Sequence, residues 1–207
     1  MFFIYSLIYI LLLPLLILRD LLTLDKNKLK TIQQKLGFNI PNVKNQTIWL
    51  HGVSLGEIKI LSPLAKKLSN QGQNILITST TNTGLEELNK NFSNSDIKIL
   101  PFPYDLEFAH KKIIINFKVN KIILFESEFW PNLLNAAKNL NVVSLNSTIS
   151  DTSFKRFKML KVFSKTLFSK IDLFLAQSKI TIDRLEFFEV KNIKHIGNIK
   201  INPENYS

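Results

Sequence analysis

Cysteine is absent from the chain. That excludes disulfides and thiolate zinc sites and fits a reducing compartment. Histidine is scarce: His51, His110 and His195 are scattered without metal-ligand spacing, so no metal site is expected. Only His51 falls within reach of a junction of interest. Glycine is scarce too, with 6 in 207 residues. No G-x-G-x-x-G or P-loop run occurs, and Gly52 and Gly56 stand four apart, fitting neither phosphate-binding template; no nucleotide cofactor is expected. Zinc-finger spacing and the basic-aromatic pattern of RNA binders are missing, so no nucleic-acid partner is expected. No basic residue precedes Arg19 and no A-x-A follows the apolar start, which argues against a cleaved signal peptide.

What is present is a globular composition, 45% hydrophobic and 21% charged, with a formal net charge of +11. The lysines are spread along the chain. They read either as solvated surface or as attraction to a polyanion, be it nucleic acid, an anionic membrane or a phosphorylated substrate. The N-terminus favours the membrane. Residues 2–18 carry no charge and would span roughly 26 Å as a helix, just short of a ~30 Å hydrocarbon core. Pro14 can kink such a helix. The run reads as an uncleaved anchor, either spanning the bilayer or lying along it. Arg19, Lys26, Lys28, Lys30, Lys35 and Lys44 follow against only Asp20 and Asp25. A basic juxtamembrane segment belongs on the cytoplasmic side, near anionic headgroups.

From about residue 47, short apolar runs alternate with helix-length stretches. Strands are expected at 47–53, 74–80, 97–102, 121–126, 141–146, 172–176 and 193–196. Helices are expected near 56–70, 83–91, 105–117, 131–139, 153–170 and 179–189. Runs as continuously apolar as "KIILF" and "DLFLA" indicate a sheet covered on both faces. The alternation predicts right-handed crossovers and an α/β fold, a doubly wound parallel sheet. Ligands of such folds sit beyond the carboxyl ends of the strands, where helix N-termini offer free N–H groups. Two acidic features fall at those junctions. Glu57 opens the helix after the first strand, and Glu126 and Glu128 flank Ser127 beyond the fourth. Each can be a helix cap. Each can equally be a carboxylate that takes a proton from a substrate hydroxyl, with a second acid orienting or stabilising.

The junctions "HGVSLGE", "TSTTNTG", "PYDLEFA", "FESEFWPNLL", "NSTISDTSFKRF", "LAQSKITIDRL" and "GNIKIN" resemble, in order, the successive motifs of the 3-deoxy-D-manno-octulosonic acid (Kdo) transferases. The likeness covers essentially all 207 residues, and an apolar anchor followed by a basic segment is also similar to that family. The resemblance implies the Rossmann-like N-terminal domain of a GT-B glycosyltransferase, preceded by a hydrophobic anchor helix, at the cytoplasmic face of the inner membrane. It implies metal-free transfer of Kdo from CMP-Kdo to the hydroxyl of a phosphorylated lipid A precursor, in lipopolysaccharide inner-core assembly. Glu57 then matches the general base. Glu126 and Lys200 match residues that stabilise the transition state. Ser54, Gly56, Thr80, Thr81, Thr83, Gly84, Glu128 and Asn146 fall on substrate-binding positions of the matched motifs.

The chain departs from the pattern at Gly52 (usually Ala or Ser), Asn82 (proline), Thr148 (arginine) and Asn202 (aspartate). Family members are roughly twice as long, and their second half carries most donor contacts. The expected organisation is an anchor helix over 1–24, a basic segment over 25–46 and an acceptor-binding domain over 47–207 without the donor-binding domain. The chain alone is then expected to be inactive. The competing reading is a non-catalytic, membrane-anchored module that binds anionic lipid. Retention of Glu57, Glu126 and Lys200 together argues against it.

Overall fold

A computed structural model describes residues 1–23 and 27–200. Asp25, Lys26 and Asn202 of the sequence reading lie outside the described residues. Seven parallel strands form one sheet in the order β3-β2-β1-β4-β5-β6-β7. They are β1 (Thr47–Gly52), β2 (Asn74–Ser79), β3 (Lys98–Pro101), β4 (Val119–Phe125), β5 (Asn141–Ser147), β6 (Leu173–Ala176) and β7 (Ile193–His195). The helices are α1 (Phe2–Thr23), α2 (Lys28–Lys35), α3 (Leu55–Asn70), α4 (Asn82–Phe92), α5 (Glu107–Asn116), α6 (Pro131–Ala136), α7 (Asp151–Met159), α8 (Lys161–Phe168) and α9 (Lys179–Phe187).

The sheet is buried on both faces, as its apolar strands require. Leu50, Ile77 and Phe125 pack with Ile58 and Leu61 of α3 and Leu88 of α4. Trp49, Ile122, Val142 and Phe174 face the other way, against Ile113 of α5, Leu133 of α6, Phe168 of α8 and Leu185 of α9. Burying each such large side chain is worth about 1.5–3 kcal/mol.

One element differs from the sequence reading: the single helix expected over 153–170 is broken at Leu160, whose φ of −113° and ψ of 44° are not helical. Three features add to that reading. A short helix, α2, occupies part of the basic segment over 25–46. The chain turns at Val53 and Ser54, and Gly56 lies in the first turn of α3. Finally, α1 lies on the domain.

One face of α1 is docked. Tyr9, Leu13, Leu16 and Ile17 pack against Tyr104, Leu106 and Ala109. The Tyr5 hydroxyl donates to Asp105 Oδ2 at 2.9 Å, and Ser6 Oγ donates to Asn132 Oδ1 at 2.7 Å. At the far end Asp20 is buried, 3% exposed. It accepts from Lys35 Nζ at 2.7 Å, from the Tyr104 hydroxyl at 2.8 Å and from Arg19 Nη2 at 3.0 Å. Burial pushes the Asp20 carboxyl up, but the Lys35 and Tyr104 hydrogen bonds outweigh it and hold it below the usual range. Asp105 is the second anchor. Fully buried, it accepts from the backbone N–H of Asn132 and Leu133 at the start of α6 and pairs with His110 Nε2 at 2.8 Å. Burial, then the charge of Asp105, pushes the Tyr5 hydroxyl well up.

Candidate active site

Strand order reverses between β1 and β4. The loop after β1 leads to one face of the sheet and the loop after β4 to the other, which opens a crevice at their carboxyl ends. Glu57 follows β1, while Glu126 and Glu128 follow β4, so this switch point sets the expected base and its partners in neighbouring loops.

Glu57 sits in a capping box. Ser54, extended at φ −107°, is the N-cap of α3, and its Oγ accepts from the Glu57 N–H at 3.4 Å. In return Glu57 Oε1 accepts from Ser54 Oγ at 2.9 Å, and Oε2 accepts from the Val53 N–H at 2.8 Å. Glu57 is therefore the cap that the bland reading of the sequence allowed. Each oxygen keeps a lone pair, and 8% of the residue stays exposed. Gly56, beside it, is exposed, and a Cβ there would meet only Ser54 Oγ at 3.9 Å. The helix start is left bare for a ligand to approach.

Glu126 and Lys200 meet directly. Lys200 Nζ stands 2.6 Å from Glu126 Oε1, although 74 residues separate them. Glu126 has φ +58° and Asn146 φ +56°. Asparagine tolerates that region, whereas glutamate there costs on the order of 1 kcal/mol or more. At Asn146 the pairing of β5 with β6 shifts register; such a bulge re-aims a side chain. Asn146 Nδ2 donates to Glu126 Oε1 at 3.3 Å, and its Oδ1 accepts from the Ile199 N–H at 3.2 Å. Asn198 Oδ1 accepts from the Lys200 N–H at 3.0 Å. The "GNIK" loop is thus tied to the end of β5, which delivers Lys200 to Glu126.

Glu128 faces the β1 side. Its Oε2 accepts from the Trp130 indole N–H at 2.6 Å and lies 3.7 Å from His51 Nε2. His51 is fully buried, stacked on Phe102 with ring centroids 3.7 Å apart, and its Nδ1 contacts Thr78 Oγ1 at 3.0 Å. Its Nε2 has no hydrogen-bond partner among the described residues.

The second junction serves the scaffold more than the crevice. The Val53 carbonyl accepts from Ser79 Oγ and Thr81 Oγ1, both at 2.9 Å. Thr81 also caps α4 through the Gly84 N–H. A Cβ on Gly84 would fall 2.1 Å from Ser79 Oγ, so glycine there allows α4 to sit close on β2. Thr83 is exposed and bonded to Thr81. Thr80 Oγ1 is buried and has no hydrogen-bond partner among the described residues. Among the described residues, no three histidine or carboxylate side chains converge as a metal site would need.

Two contributors escaped the sequence reading. Asn198 gave no signal beyond its place in the "GNIK" motif. Asp105, in "PYDLEF", reads as a ligand-facing junction residue but is spent inside, capping a helix 26 residues away.

Among solved structures, a UDP-N-acetylglucosamine 2-epimerase matches 79% of this chain and 51% of its own, with a TM-score of 0.56 and 14% identity. That likeness concerns the fold alone and defines the class, a Rossmann-like parallel-sheet domain. The family follows from sequence. The profile described as 3-deoxy-D-manno-octulosonic-acid transferase (kdotransferase) matches residues 30–202, and the chain belongs to that glycosyltransferase family. A bifunctional glycosyltransferase/methyltransferase of Fusobacterium nucleatum subsp. nucleatum is 35% identical over 88% of the chain and 30% of its own length. The 3-deoxy-D-manno-octulosonic acid transferase of Haemophilus influenzae is 32% identical over 75% of the chain and 38% of its length. That of Chlamydophila psittaci is 30% identical over 86% and 43%. The chain spans less than half the length of each of these relatives.

Proposed function

We propose that these residues are the acceptor-binding, base-carrying part of an enzyme that transfers Kdo from CMP-Kdo to the hydroxyl of a phosphorylated lipid A precursor. Glu57 takes the proton from the attacking hydroxyl. Lys200, held by Glu126, offsets the charge that develops on the departing phosphate. The observation that carries this reading is the Lys200–Glu126 pair, assembled by two strand ends with positive φ beside the crevice that Glu57 borders. In this reading Ser54, Gly56, Thr80, Thr81, Thr83, Gly84, Glu128 and Asn146 serve acceptor binding, directly or by holding the loops at the switch point.

The relatives' greater length leads us to assign the donor contacts to a part of the enzyme beyond these residues. We further propose a place at the cytoplasmic face of the inner membrane, with α1 lying in the interface. α1 is long and apolar enough to cross a bilayer by length and composition, but its docked face is bonded to the domain through Tyr5, Ser6 and Asp20.

The test is Glu57→Gln in the complete transferase. Glutamine keeps an acceptor for the Val53 N–H and a partner for Ser54 while removing the base. Turnover is expected to fall about 10²–10⁴-fold, with acceptor binding retained. Turnover near the unmodified rate would remove Glu57 from the role.

A further inference from the structure

The break between α7 and α8 builds an exposed apolar tip. At the break, Ser164 Oγ donates to the Phe157 carbonyl at 2.9 Å and the Leu160 N–H donates to the same carbonyl at 3.2 Å. The last turn of α7 is thereby closed and α8 departs in a new direction. Met159 is left 84% exposed and Val162 72% exposed, with Leu160 exposed between them. Nothing in the described residues covers them. The surrounding stretch is one-signed. From residue 152 to 171 there are six cations, Lys155, Arg156, Lys158, Lys161, Lys165 and Lys170, and no carboxylate. Among the described residues, only Lys165 of these has an acidic partner, Glu189. Lys158 and Lys161 hold their ammonium groups 5.7 and 4.6 Å from the Phe187 ring, which keeps them at the rim of the tip.

The tip is continuous with α1. Phe163, one residue beyond Val162, packs on Phe2 with ring centroids 5.1 Å apart, and Lys170 Nζ lies 4.9 Å from the Phe2 ring. From there the outward face of α1 runs on through the exposed Phe3, Leu7, Leu11, Leu15 and Leu22.

We propose that the Met159–Leu160–Val162 tip is a second membrane-insertion element, which enters an anionic bilayer beside α1 while its lysines contact lipid phosphates. The occupant is argued from charge complementarity and from continuity with α1. A monotopic protein held by one in-plane helix can still roll about that helix axis. A second contact off the axis stops the roll and fixes the crevice at one angle to the membrane. Apolar insertion and lysine–headgroup attraction act together in such elements. The inference rests on the membrane placement proposed above.

The experiment uses the protein with vesicles of phosphatidylethanolamine with and without phosphatidylglycerol. In the M159W variant the introduced indole is expected to shift its emission to the blue on anionic vesicles and to be quenched by brominated lipid. M159S/V162S and K158Q/K161Q are each expected to lower partitioning onto anionic vesicles about tenfold. K66Q/K67Q, on α3 across the sheet, matches the charge change and is expected to alter nothing. All these side chains are exposed, so the fold survives. Unquenched emission from a vesicle-bound M159W protein overturns the tip and leaves α1 as the anchor. So does self-association through the tip, seen as a change of oligomeric state in M159S/V162S without lipid. Failure of the catalytic reading would show instead in the turnover of Glu57→Gln, which the tip variants do not touch.

Discussion

Glu57 carries a structural role beside the catalytic one we propose, and single-variant data confuse the two. Its carboxylate caps the start of α3, so Glu57→Ala removes the cap together with the proposed base. Loss of such a cap costs about 0.5–2 kcal/mol. Thermal unfolding is expected to report that loss for Glu57→Ala and for Ser54→Ala, and to report little for Glu57→Gln. Lys200 gives the opposite pattern. Its pair with Glu126 is 36% exposed on the lysine side, and exposed pairs contribute about 0–1 kcal/mol. Lys200→Ala should therefore leave the melting temperature nearly unchanged while turnover of the complete transferase falls. A large loss of stability would make the pair structural. Glu57 and Glu126 were legible as junction acids, because each follows an apolar strand at the ligand edge of the sheet. The pairing of Lys200 with Glu126 was not, since it depends on a bulge at Asn146 and on positive φ at Glu126 and Asn146, neither of which leaves a mark in the sequence.

At the level of elements, α1 is the part whose meaning changed most. An uncharged run of 17 residues followed by Arg19 reads the same whether a helix spans, floats or docks. Docking is decided by three polar side chains spaced to meet partners far along the chain: Tyr5 with Asp105, Ser6 with Asn132, and Asp20 with Lys35 and Tyr104. The Asp20 site carries a pH dependence. Its carboxyl is held below the usual range, so its contribution is fully present above the unfolded value of about 3.9. That contribution is lost as pH falls through the folded value. Amide exchange in α1 and α2 is expected to quicken below about pH 4, before the strands lose protection. Simultaneous loss in all elements would mean that Asp20 is not the release point. Removing one partner of a buried pair costs about 3–5 kcal/mol. Asp20→Ala, which strands the buried Lys35, should accordingly release α1 at neutral pH, seen by the same exchange measurement.

For the whole molecule, parallel topology places each strand-to-helix junction at one end of the sheet, and the reversal between β1 and β4 brings two acidic loops together there. The crevice is thus a product of strand order. The chain spans less than half the length of each of these relatives. Purified residues 1–207 with CMP-Kdo and a lipid A precursor are therefore expected to give no product above background. Measurable transfer would show that the donor is held within these residues.

By itself the sequence determined the α/β class and the strand and helix positions, because apolar runs covered on both faces and hydroxyl-rich junctions are local patterns. Its ordered motifs also determined the family. Tertiary structure decided the rest. It split 153–170 into two helices at Leu160, where Ser164 bonds back to the Phe157 carbonyl. It turned Asp105 from a junction acid into a buried cap, and it delivered Lys200 to Glu126. In the last two cases the deciding contact joins residues far apart along the chain, whose meeting is fixed by sheet order and burial rather than by any neighbouring residue.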